Sequence, residues 1–521
     1  MHMKRILLDV SLLLAGTVTS FAQYQNIQVG TLNFPNEPAI MWNPGNINEM
    51  VAGANIASFY YSSDTGLTWT TGTLSSSWGI WGDPCIASDN IGTFYYFHLN
   101  NNQVGTTFDR IVCQRSFDGG VTWDDGTAFG LDGTKWQEKP WAVHDPGSGN
   151  LYVTWTQDDV FASSNPLDSS IIRFCRSADG GATWSTPVRL NRVAGNCALN
   201  GYGVNGPMPA LGVNGEVLVT WVGPVGLMFK KSTDQGLTWP PTDITVATLP
   251  VGWGCFIPGI YRAPGFPVIG CDRSNSPYRG TYYISWWDQR NGQDDADIWL
   301  SKSTDGGNTW SAPVRVNDDP PGNQQFFSWM AIDQVTGFLY FVFYDRRQYS
   351  DLNTDVFMAV STDGGQSFLN FRVSESPFAP NASIFIGDYN NIIAHNNVVR
   401  PVWTRMENDI LSIWTAKVDS IDLSSPPDPG PSAPFVLKQN YPNPVRSFTN
   451  FAYSVHEPSR VTLKIHDLCG REAAVVFEDK PHTPGQYVVR YPIDKNLIPP
   501  GFYFYTFTFR NKTLTRKMII E

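Results

Sequence analysis

The sequence is poor in charge and contains no block of basic residues. Only 16% of its 521 residues are charged, and the 47 acidic residues outnumber the 36 basic ones. A protein that follows a phosphate backbone needs a concentrated positive surface, so we expect no nucleic-acid partner. A chain with 42% hydrophobic residues can nevertheless bury a large core, which excludes disorder for most of its length.

Beyond its first residues, the sequence also lacks any apolar run of the roughly 20 residues that span a bilayer. The N-terminus has Lys4 and Arg5, then a short apolar stretch from Ile6 to Val18, then Ser20-Phe21-Ala22. This order predicts a signal peptide over residues 1–22, with a membrane anchor as the alternative. We therefore expect an exported protein without a transmembrane segment.

The seven cysteines form no Cys-x-x-Cys pair and no cluster with histidine, so no structural zinc site is predicted. In an oxidising compartment, disulfides are expected instead. Cys175 with Cys197, and Cys255 with Cys271, are the candidate pairs because each pair brackets one loop. Spacing alone does not determine the pairing.

Aromatic residues, glycine and proline are abundant, which favours many short strands joined by tight turns and an all-β fold. One pattern, Ser-x-Asp-x-Gly-x-Thr-Trp, recurs along the chain, and its last copy ends in Ser-Phe. In each copy the Asp can accept hydrogen bonds across a hairpin turn, and the Gly permits a positive φ. The six copies contain Asp64, Asp118, Asp179, Asp234, Asp305 and Asp363.

This repeat resembles the Asp box, or BNR repeat, of sialidase-like β-propellers. The resemblance implies that the boxes are structural and join the third and fourth strands of each blade, far from the ligand face. Their spacing of 54 to 71 residues predicts a seven-bladed propeller over residues 23–421, with six blades as the alternative. We expect the strand at Asn26 to Leu32 to pair with Leu411 to Lys417 and close the ring.

A Pro-rich segment, residues 422–434, reads as an exposed linker to a second domain at residues 435–521. The tail contains Asn440-Tyr441-Pro442-Asn443-Pro444 and Gly501-Phe502-Tyr503. It resembles the type A C-terminal sorting domain of type IX secretion cargo in Bacteroidetes. The resemblance implies a small β-sandwich, the type IX machinery as a partner, and secretion or an outer cell-surface location; a plain accessory domain that binds carbohydrate is the alternative.

Candidate site residues lie in the loops expected around the central channel of the propeller. Loops that lead into innermost strands carry Glu37, Asp83, Glu138 and Asp388. Loops between second and third strands carry arginines next to acidic residues, namely Asp288 with Arg290, Asp345 with Arg346 and Arg347, and Arg405 alone. We expect function on this face because ligand sites are concave and sit where loops converge.

One interpretation is a site for an anionic sugar. Arg290, Arg346, Arg347 and Arg405, with Asp288 and Asp345, would bind the ligand, since guanidinium groups pair well with carboxylates. Asp83, Glu37, Tyr344 and Asp388 would form the catalytic set, with Tyr389 as another candidate nucleophile, because sialidases attack with Tyr. The alternative is that each Asp–Arg pair only locks its own loop. Where sialidases carry Arg-Ile-Pro, this sequence has Asn36-Glu37-Pro38, which argues against sialidase activity.

The expected function is that of an exported sialidase-like propeller that engages extracellular glycans or glycoproteins. The alternatives are an exo-α-sialidase type of glycoside hydrolase and a non-enzymatic surface scaffold. No cofactor is required, although Ca²⁺ is an option at Asp294, Asp295 and Asp297, or at Asp351 and Asp355. The loop aromatics are candidates for stacking on sugar rings: Trp78, Trp81, Trp136, Trp253 and Tyr349.

Overall fold

The structure, a computed structural model, describes residues 24–102, 107–250, 252–419, 421, 435–437, 440–441, 443–455, 457–468, 470–510 and 512–521. The predicted signal peptide (1–22) and the predicted linker (422–434) lie outside the described residues. The described chain is all β, as expected from its composition.

The first 31 strands precede the tail. They are β1 (Gln25–Gly30), β2 (Ala39–Asn43), β3 (Asn46–Ala54), β4 (Ser58–Ser62), β5 (Thr70–Thr73), β6 (Gly82–Ser88), β7 (Phe94–Leu99), β8 (Ile111–Ser116), β9 (Thr127–Phe129), β10 (Trp136–His144), β11 (Leu151–Asp158), β12 (Ser169–Ser177), β13 (Val188–Arg189), β14 (Gly195–Asn196), β15 (Asn205–Leu211), β16 (Val217–Gly223), β17 (Gly226–Ser232), β18 (Ile244–Ala247), β19 (Gly254–Cys255), β20 (Ala263–Pro264), β21 (Val268–Cys271), β22 (Tyr282–Asp288), β23 (Asp297–Ser303), β24 (Val314–Arg315), β25 (Gln325–Ile332), β26 (Leu339–Asp345), β27 (Asp355–Ser361), β28 (Leu369–Arg372), β29 (Asn391–His395), β30 (Val398–Glu407) and β31 (Ile410–Asp419). Within the described ranges, no helix has the length and apolar character needed to cross a membrane.

These strands build antiparallel sheets arranged as a ring. Six sheets run in chain order, β2–β5, β6–β9, β10–β13, β15–β18, β21–β24 and β25–β28, and a seventh has the order β1-β31-β30-β29. The first strands of successive sheets contact one another, and β29 in turn contacts β2. The short strand β14 adds to the third sheet, and β19 pairs only with β20. The described part of the chain thus holds seven sheets of this ring, six with four strands and one with five.

The ring closes through its two ends. Strand β1 pairs antiparallel with β31, so that Asn26 lies opposite Ala416. This pairing, which the sequence predicted, provides the seventh sheet with the outer strand that its own segment of chain lacks. Closure also removes two sheet edges that would otherwise be free to pair with another chain.

The second strands of most sheets are buried on both faces. Every residue of β16 and of β26 is buried, and the largest buried side chains include Trp221, Trp286 and Trp403. Sheets that pack face to face in a ring cover each other, so these strands are continuous apolar runs. The core therefore lies between neighbouring sheets.

Each of the six repeats forms the turn between the third and fourth strands of a sheet, and we call these the repeat turns. In the turn after β8, the Ser116 hydroxyl donates to Asp118 Oδ1 at 2.8 Å and accepts from the Gly120 N–H at 2.9 Å. The Thr122 N–H and hydroxyl both donate to the Asp118 carboxylate. All these bonds stay within one turn, so each turn is specified by its own short sequence.

The two candidate disulfides were wrong, because the six described cysteines are free thiols. Cys175 is buried at one end of β12, whereas β14, which carries Asn196 next to Cys197, pairs with Ser169 and Ser170 at the other end. Five residues of strand correspond to about 16 Å, well beyond the Cα separation that a disulfide tolerates. Cys255 and Cys271 lie in different sheets.

The tail forms a separate pair of sheets. Its strands are β32 (Phe435–Leu437), β33 (Phe448–Val455), β34 (Ser459–His466), β35 (Glu472–His482), β36 (Gly485–Pro492), β37 (Gly501–Phe509) and β38 (Lys512–Ile520). The sheet orders are β32-β33-β36 and β35-β34-β37-β38. Buried and partly exposed residues alternate along β33, and Phe451, Tyr505 and Phe507 fill a core of their own. This is the β-sandwich that the sequence predicted.

Candidate functional site

Three neighbouring sheets begin with the same unusual backbone position. Glu37, Asp83 and Lys139 have φ of 53°, 54° and 49°, and each is followed by proline. The strand register slips at this point in β6 and in β10, as in a β-bulge, and bulges redirect side chains. A left-handed non-glycine residue is strained by about 1–3 kcal/mol and persists only when its surroundings hold it.

A cluster of ionic contacts holds these residues. The Lys139 ammonium donates to Glu37 Oε1 and to Asp83 Oδ1, both at 2.7 Å, and lies 3.0 Å from Asp388 Oδ2. Lys139 is only 3% exposed, and Glu37 is fully buried. One cation thus joins carboxylates from three other segments of the ring, and we call these four residues the lysine cluster.

Two further residues, Arg262 and Asn55, bind the carboxylates of the lysine cluster. The Arg262 guanidinium binds Asp388 in a bidentate manner, with distances of 2.8 and 2.6 Å. The Asn55 amide donates to Glu37 Oε2 at 2.8 Å, and its oxygen accepts the Asp83 N–H at 2.7 Å. The Asp83 carboxylate also accepts the Lys139 N–H at 3.1 Å, so every carboxylate of the cluster has at least two polar contacts, as buried charges require.

The carboxyl groups of the cluster differ in protonation. Burial raises the pKa of Glu37 well above its usual value, and the neighbouring Asp83 and Asp388 charges raise it further against the effect of Lys139. Burial opposes ionisation of Asp388 as well, but Lys139 and then Arg262 outweigh it and hold that pKa at about 2. The Asp83 pKa is also lowered, since Lys139 more than offsets its burial. The three carboxylates raise the Lys139 pKa despite burial, so the ammonium stays charged.

A cavity of about 390 Å³ opens over the lysine cluster. Its polar lining is Glu37, Asn55, Asp83, Thr107, Glu138 and Arg262, and its apolar lining is Trp81, Leu99, Phe108, Trp136, Phe161 and Phe385. This volume is within the range of small-molecule sites, and the combination of apolar walls with a few convergent polar groups is typical of them.

Four aromatic rings form one wall of the cavity. Phe108 lies edge-to-face against Trp136 with ring centroids 4.5 Å apart, and it stacks on Trp81 at 5.8 Å. Phe161 contacts both Phe108 and Trp136. Trp81 is 44% exposed, so a large ring face remains open to a ligand. We call these four residues the aromatic wall.

The loop arginines predicted to bind a ligand do not line this cavity. Arg290 binds Asp288 in its own loop at 2.6 Å, and Arg347 binds Asp345 at 2.8 Å. Their guanidinium groups also pack on Trp299 and Phe357, respectively. This geometry agrees with the alternative interpretation of the sequence, in which each Asp–Arg pair is a salt bridge that stabilises its own loop.

Arg346 and Arg405 are also engaged away from the cavity. Arg346 is buried and donates to the Pro258 carbonyl at 2.8 Å and to Gln324 at 2.9 Å. Arg405 donates to the carbonyl and hydroxyl oxygens of Ser376 at 2.8 and 2.9 Å. The structure therefore does not bring the four arginines together with the carboxylates of the lysine cluster.

The two candidate tyrosine nucleophiles are both buried. Tyr344 is 1% exposed and donates to the Thr404 carbonyl, and burial raises its pKa. Tyr389 lies beneath Lys139, whose ammonium is 5.3 Å from the ring centroid, and burial raises its pKa as well. A buried phenol with a raised pKa is a poor nucleophile, and neither residue lines the cavity.

The acidic residues considered for Ca²⁺ have protein partners. Asp297 pairs with Arg315 and accepts from Asn317 at 2.7 Å. Asp355 accepts from Tyr349 at 2.9 Å and from Ser374 at 2.8 Å. Among the residues that the structure describes, no group of three or more His, Cys, Asp or Glu side chains is placed to hold a metal ion.

The loop aromatics have different roles. Trp81 and Trp136 belong to the aromatic wall, whereas Trp253 is buried and donates its indole N–H to the Gly203 carbonyl at 2.7 Å. Tyr349 is tied to Asp355, and Trp78, 38% exposed, lies over Arg110 outside the cavity. Only two of the five are thus placed to stack on a ligand in this cavity.

The sequence analysis named all three carboxylates of the lysine cluster but missed the cations that join them. Lys139 and Arg262 were not predicted, although Lys139-Pro140 is in line with Glu37-Pro38 and Asp83-Pro84. Alignment of these X-Pro pairs would have placed Lys139, not Glu138, in the strained position. Arg262 has no such signal, because it lies in the long segment between β19 and β20.

Comparison with known proteins identifies the tail. Residues 439–521 match the family model of the secretion system C-terminal sorting domain. The tail is a sorting domain. It implies that the protein is secreted or placed on the cell surface. No curated protein matches the chain.

Several solved structures resemble the chain at low identity. A Hadza microbial sialidase is 15% identical with a TM-score of 0.40, covering 72% of this chain and 74% of the sialidase. Trypanosoma rangeli sialidase, solved as a covalent intermediate with 2,3-difluorosialic acid, is 12% identical with a TM-score of 0.39 and coverages of 87% and 85%. The GH74 xyloglucanase from Xanthomonas campestris is 16% identical with a TM-score of 0.44 and coverages of 83% and 59%. With every TM-score below 0.5, the fold rests on the sheet topology described above.

Proposed function

We propose that this protein is exported through the type IX machinery and binds an extracellular glycan in the cavity above the lysine cluster. The observation that carries the proposal is the aromatic wall facing Glu37, Asp83 and Glu138 across one cavity of about 390 Å³. Sugar rings offer apolar faces that pack on aromatic rings and hydroxyl groups that donate to carboxylates. The sorting domain supports a role outside the cell.

The test compares two tryptophans of one loop in the purified full chain. Trp81→Ala removes a ring of the aromatic wall, while Trp78→Ala removes a similarly exposed ring that does not line the cavity. On a glycan array, followed by calorimetry with the best ligand, we expect Trp81→Ala to weaken binding at least tenfold, since stacking on an aromatic ring contributes about 1–3 kcal/mol in related contacts. Trp78→Ala should bind like the wild type. Equal affinity in all three proteins would contradict the proposal.

A second candidate function is glycoside hydrolysis at the same cavity. Two lining carboxyl groups have opposite tendencies: burial, followed by the Asp83 charge, raises the pKa of Glu138 well above its usual value, while the pKa of Asp83 is lowered. Glycosidases use such a pair, in which the protonated group protonates the leaving oxygen and the ionised one acts as base or nucleophile. Glu138 would be the acid and Asp83 its partner.

Hydrolysis is tested by mass spectrometry of the ligand after incubation with the wild type, Glu138→Gln and Asp83→Asn. Loss of product in both variants, with binding retained in Glu138→Gln, is the expected result for this candidate. The same assay includes a sialylated glycoprotein as substrate. Release of sialic acid that is lost when Arg290, Arg346 and Arg405 are replaced by alanine would support sialidase activity as the type of hydrolysis. Uncleaved ligand at high protein concentration would leave binding as the function.

A further inference from the structure

The cations of the site are already paired. Lys139 contacts Glu37, Asp83 and Asp388, and Arg262 holds Asp388 in a bidentate pair. The Arg262 guanidinium also packs on the Phe385 ring, 4.7 Å from its centroid. An anionic ligand would have to compete with these carboxylates for both cations.

Glu138 differs from the other carboxylates of the site in its contacts. It is 8% exposed and lines the cavity. Within the described residues, its carboxylate accepts no hydrogen bond and forms no ion pair, unlike Glu37, Asp83 and Asp388 beside it. A carboxylate that is nine-tenths buried costs free energy unless it is paired, so this unpaired group indicates that a partner comes from outside the chain.

The surroundings of Glu138 favour a cation as that partner. The adjoining wall consists of Trp81, Phe108, Trp136 and Phe161. The faces of aromatic rings attract ammonium groups, most strongly where water is excluded. Hydroxyl groups would also donate to Glu138, but they would leave its charge uncompensated.

We propose that the ligand presents a protonated amine to Glu138, as an unacetylated hexosamine in a glycan does, with its pyranose ring against the aromatic wall. This inference rests on the proposed function and names the chemistry of its ligand. It also reverses the expectation of an anionic sugar that the loop arginines raised.

The electrostatics support this assignment. The groups that face Glu138 are Asp83, Lys139, Asp158 and Arg262; burial, followed by Asp83, raises its pKa well above the usual value despite the two cations. Burial also raises the pKa of Asp158 to about 7. An ammonium group at Glu138 stabilises its ionised form, so binding of an amine should release protons from the protein.

The experiment is isothermal calorimetry on the full chain at pH 6, where the amine is charged. The probes are the β-1,4-linked trimer of glucosamine, the matched trimer of N-acetylglucosamine, sialyllactose and choline. The variants are Glu138→Gln and, as the control, Glu407→Gln, an exposed carboxylate that does not line the cavity. Each titration is repeated in two buffers of different ionisation enthalpy, which reports the number of protons released.

We expect the wild type and Glu407→Gln to bind the glucosamine trimer at least tenfold more tightly than the acetylated trimer, with release of up to about one proton. Glu138→Gln should lose both the preference and the proton release while it still binds the acetylated trimer, which shows that the site is folded. Equal affinity for the two trimers, or a preference for sialyllactose, would overturn the inference and leave glycan binding intact. If no sugar binds, both the proposed function and this inference are wrong. Binding of choline alone would overturn the assignment of the ligand as a glycan amine.

Discussion

The repeat turns at the outside of the ring and the lysine cluster at its inside use aspartate in opposite ways. In a repeat turn, Asp118 accepts from Ser116, Val121 and Thr122, all within four residues of it in the chain. In the lysine cluster, Asp83 is joined to Lys139, 56 residues away, and Asp388 to Arg262, 126 residues away. The first kind of contact can be copied six times, whereas the second exists once.

This difference explains which residues carry function in a repetitive fold. A residue that recurs in six sheets serves what those sheets share, namely a turn between the third and fourth strands. Glu37, Asp83 and Lys139 occupy one repeated backbone position, but two of them are acidic and one is basic, and only such differences can create a single site. The repeated position provides the geometry, and the substitutions within it provide the chemistry.

The largest effect is expected at the centre of the cluster. Lys139→Met removes the cation shared by three buried carboxylates, and breaking a buried ion pair in this way costs about 3–5 kcal/mol. Urea unfolding followed by tryptophan fluorescence measures this loss in the ring alone, because all 19 tryptophans precede residue 435.

Lys135→Met is the matched control. Lys135 is 37% exposed and pairs with Asp159 near the same strand, so its loss should cost at most about 1 kcal/mol. A second variant, Lys139→Met with Asp83→Asn, should recover part of the stability, since one uncompensated charge is removed. Similar midpoints for Lys135→Met and Lys139→Met would mean that the cluster does not hold the ring together.

The same contrast explains which features of the structure could be predicted from the sequence. The repeat turns, the all-β fold, the pairing of β1 with β31 and the tail sandwich follow from local patterns, because their determinants are contiguous or periodic. Glu37, Asp83 and Asp388 were predicted to lie near the channel for the same reason. The partner of each one was not predictable, since Lys139 and Arg262 reach them only through the closed ring. The arginine loops left both interpretations open, because an Asp–Arg pair within one loop looks the same in sequence whether it binds a ligand or its neighbour.

A smaller effect is expected in a repeat turn. Asp118→Ala removes the acceptor of the turn after β8, but the strands on either side remain paired. Loss of such a side-chain cap lowers the melting temperature by on the order of 2–4 °C. Asp234→Ala should have the same effect as Asp118→Ala because the turns are equivalent, and Asp351→Ala, in an exposed loop, should have none. A much larger fall for one turn than for another would contradict their equivalence.

The smallest expected effect is on the pH dependence of stability, which differs between the repeat turns and the lysine cluster. Hydrogen bonds from Thr183 lower the pKa of Asp179 to about 2, and in Asp363 the Ser367 bonds outweigh burial to give the same value. Their contribution to stability is complete above the unfolded value near 4 and is lost as the pH falls towards 2. Glu37 behaves in the opposite way: its raised pKa means that the folded protein holds a proton that the unfolded chain has released, so stability falls as the pH rises above about 4.3.

Urea unfolding from pH 2.5 to 8 distinguishes these contributions. Asp179→Asn should flatten the acid side of the stability curve, and Glu37→Gln should flatten the other side, each by no more than the 1.4 kcal/mol per pH unit that one proton contributes. Gln at position 37 imitates the protonated acid, so the fold should persist. If Glu37→Gln changed only the acid side, Glu37 would be ionised in the folded protein, and the lysine cluster would carry one more negative charge than the raised pKa of Glu37 indicates.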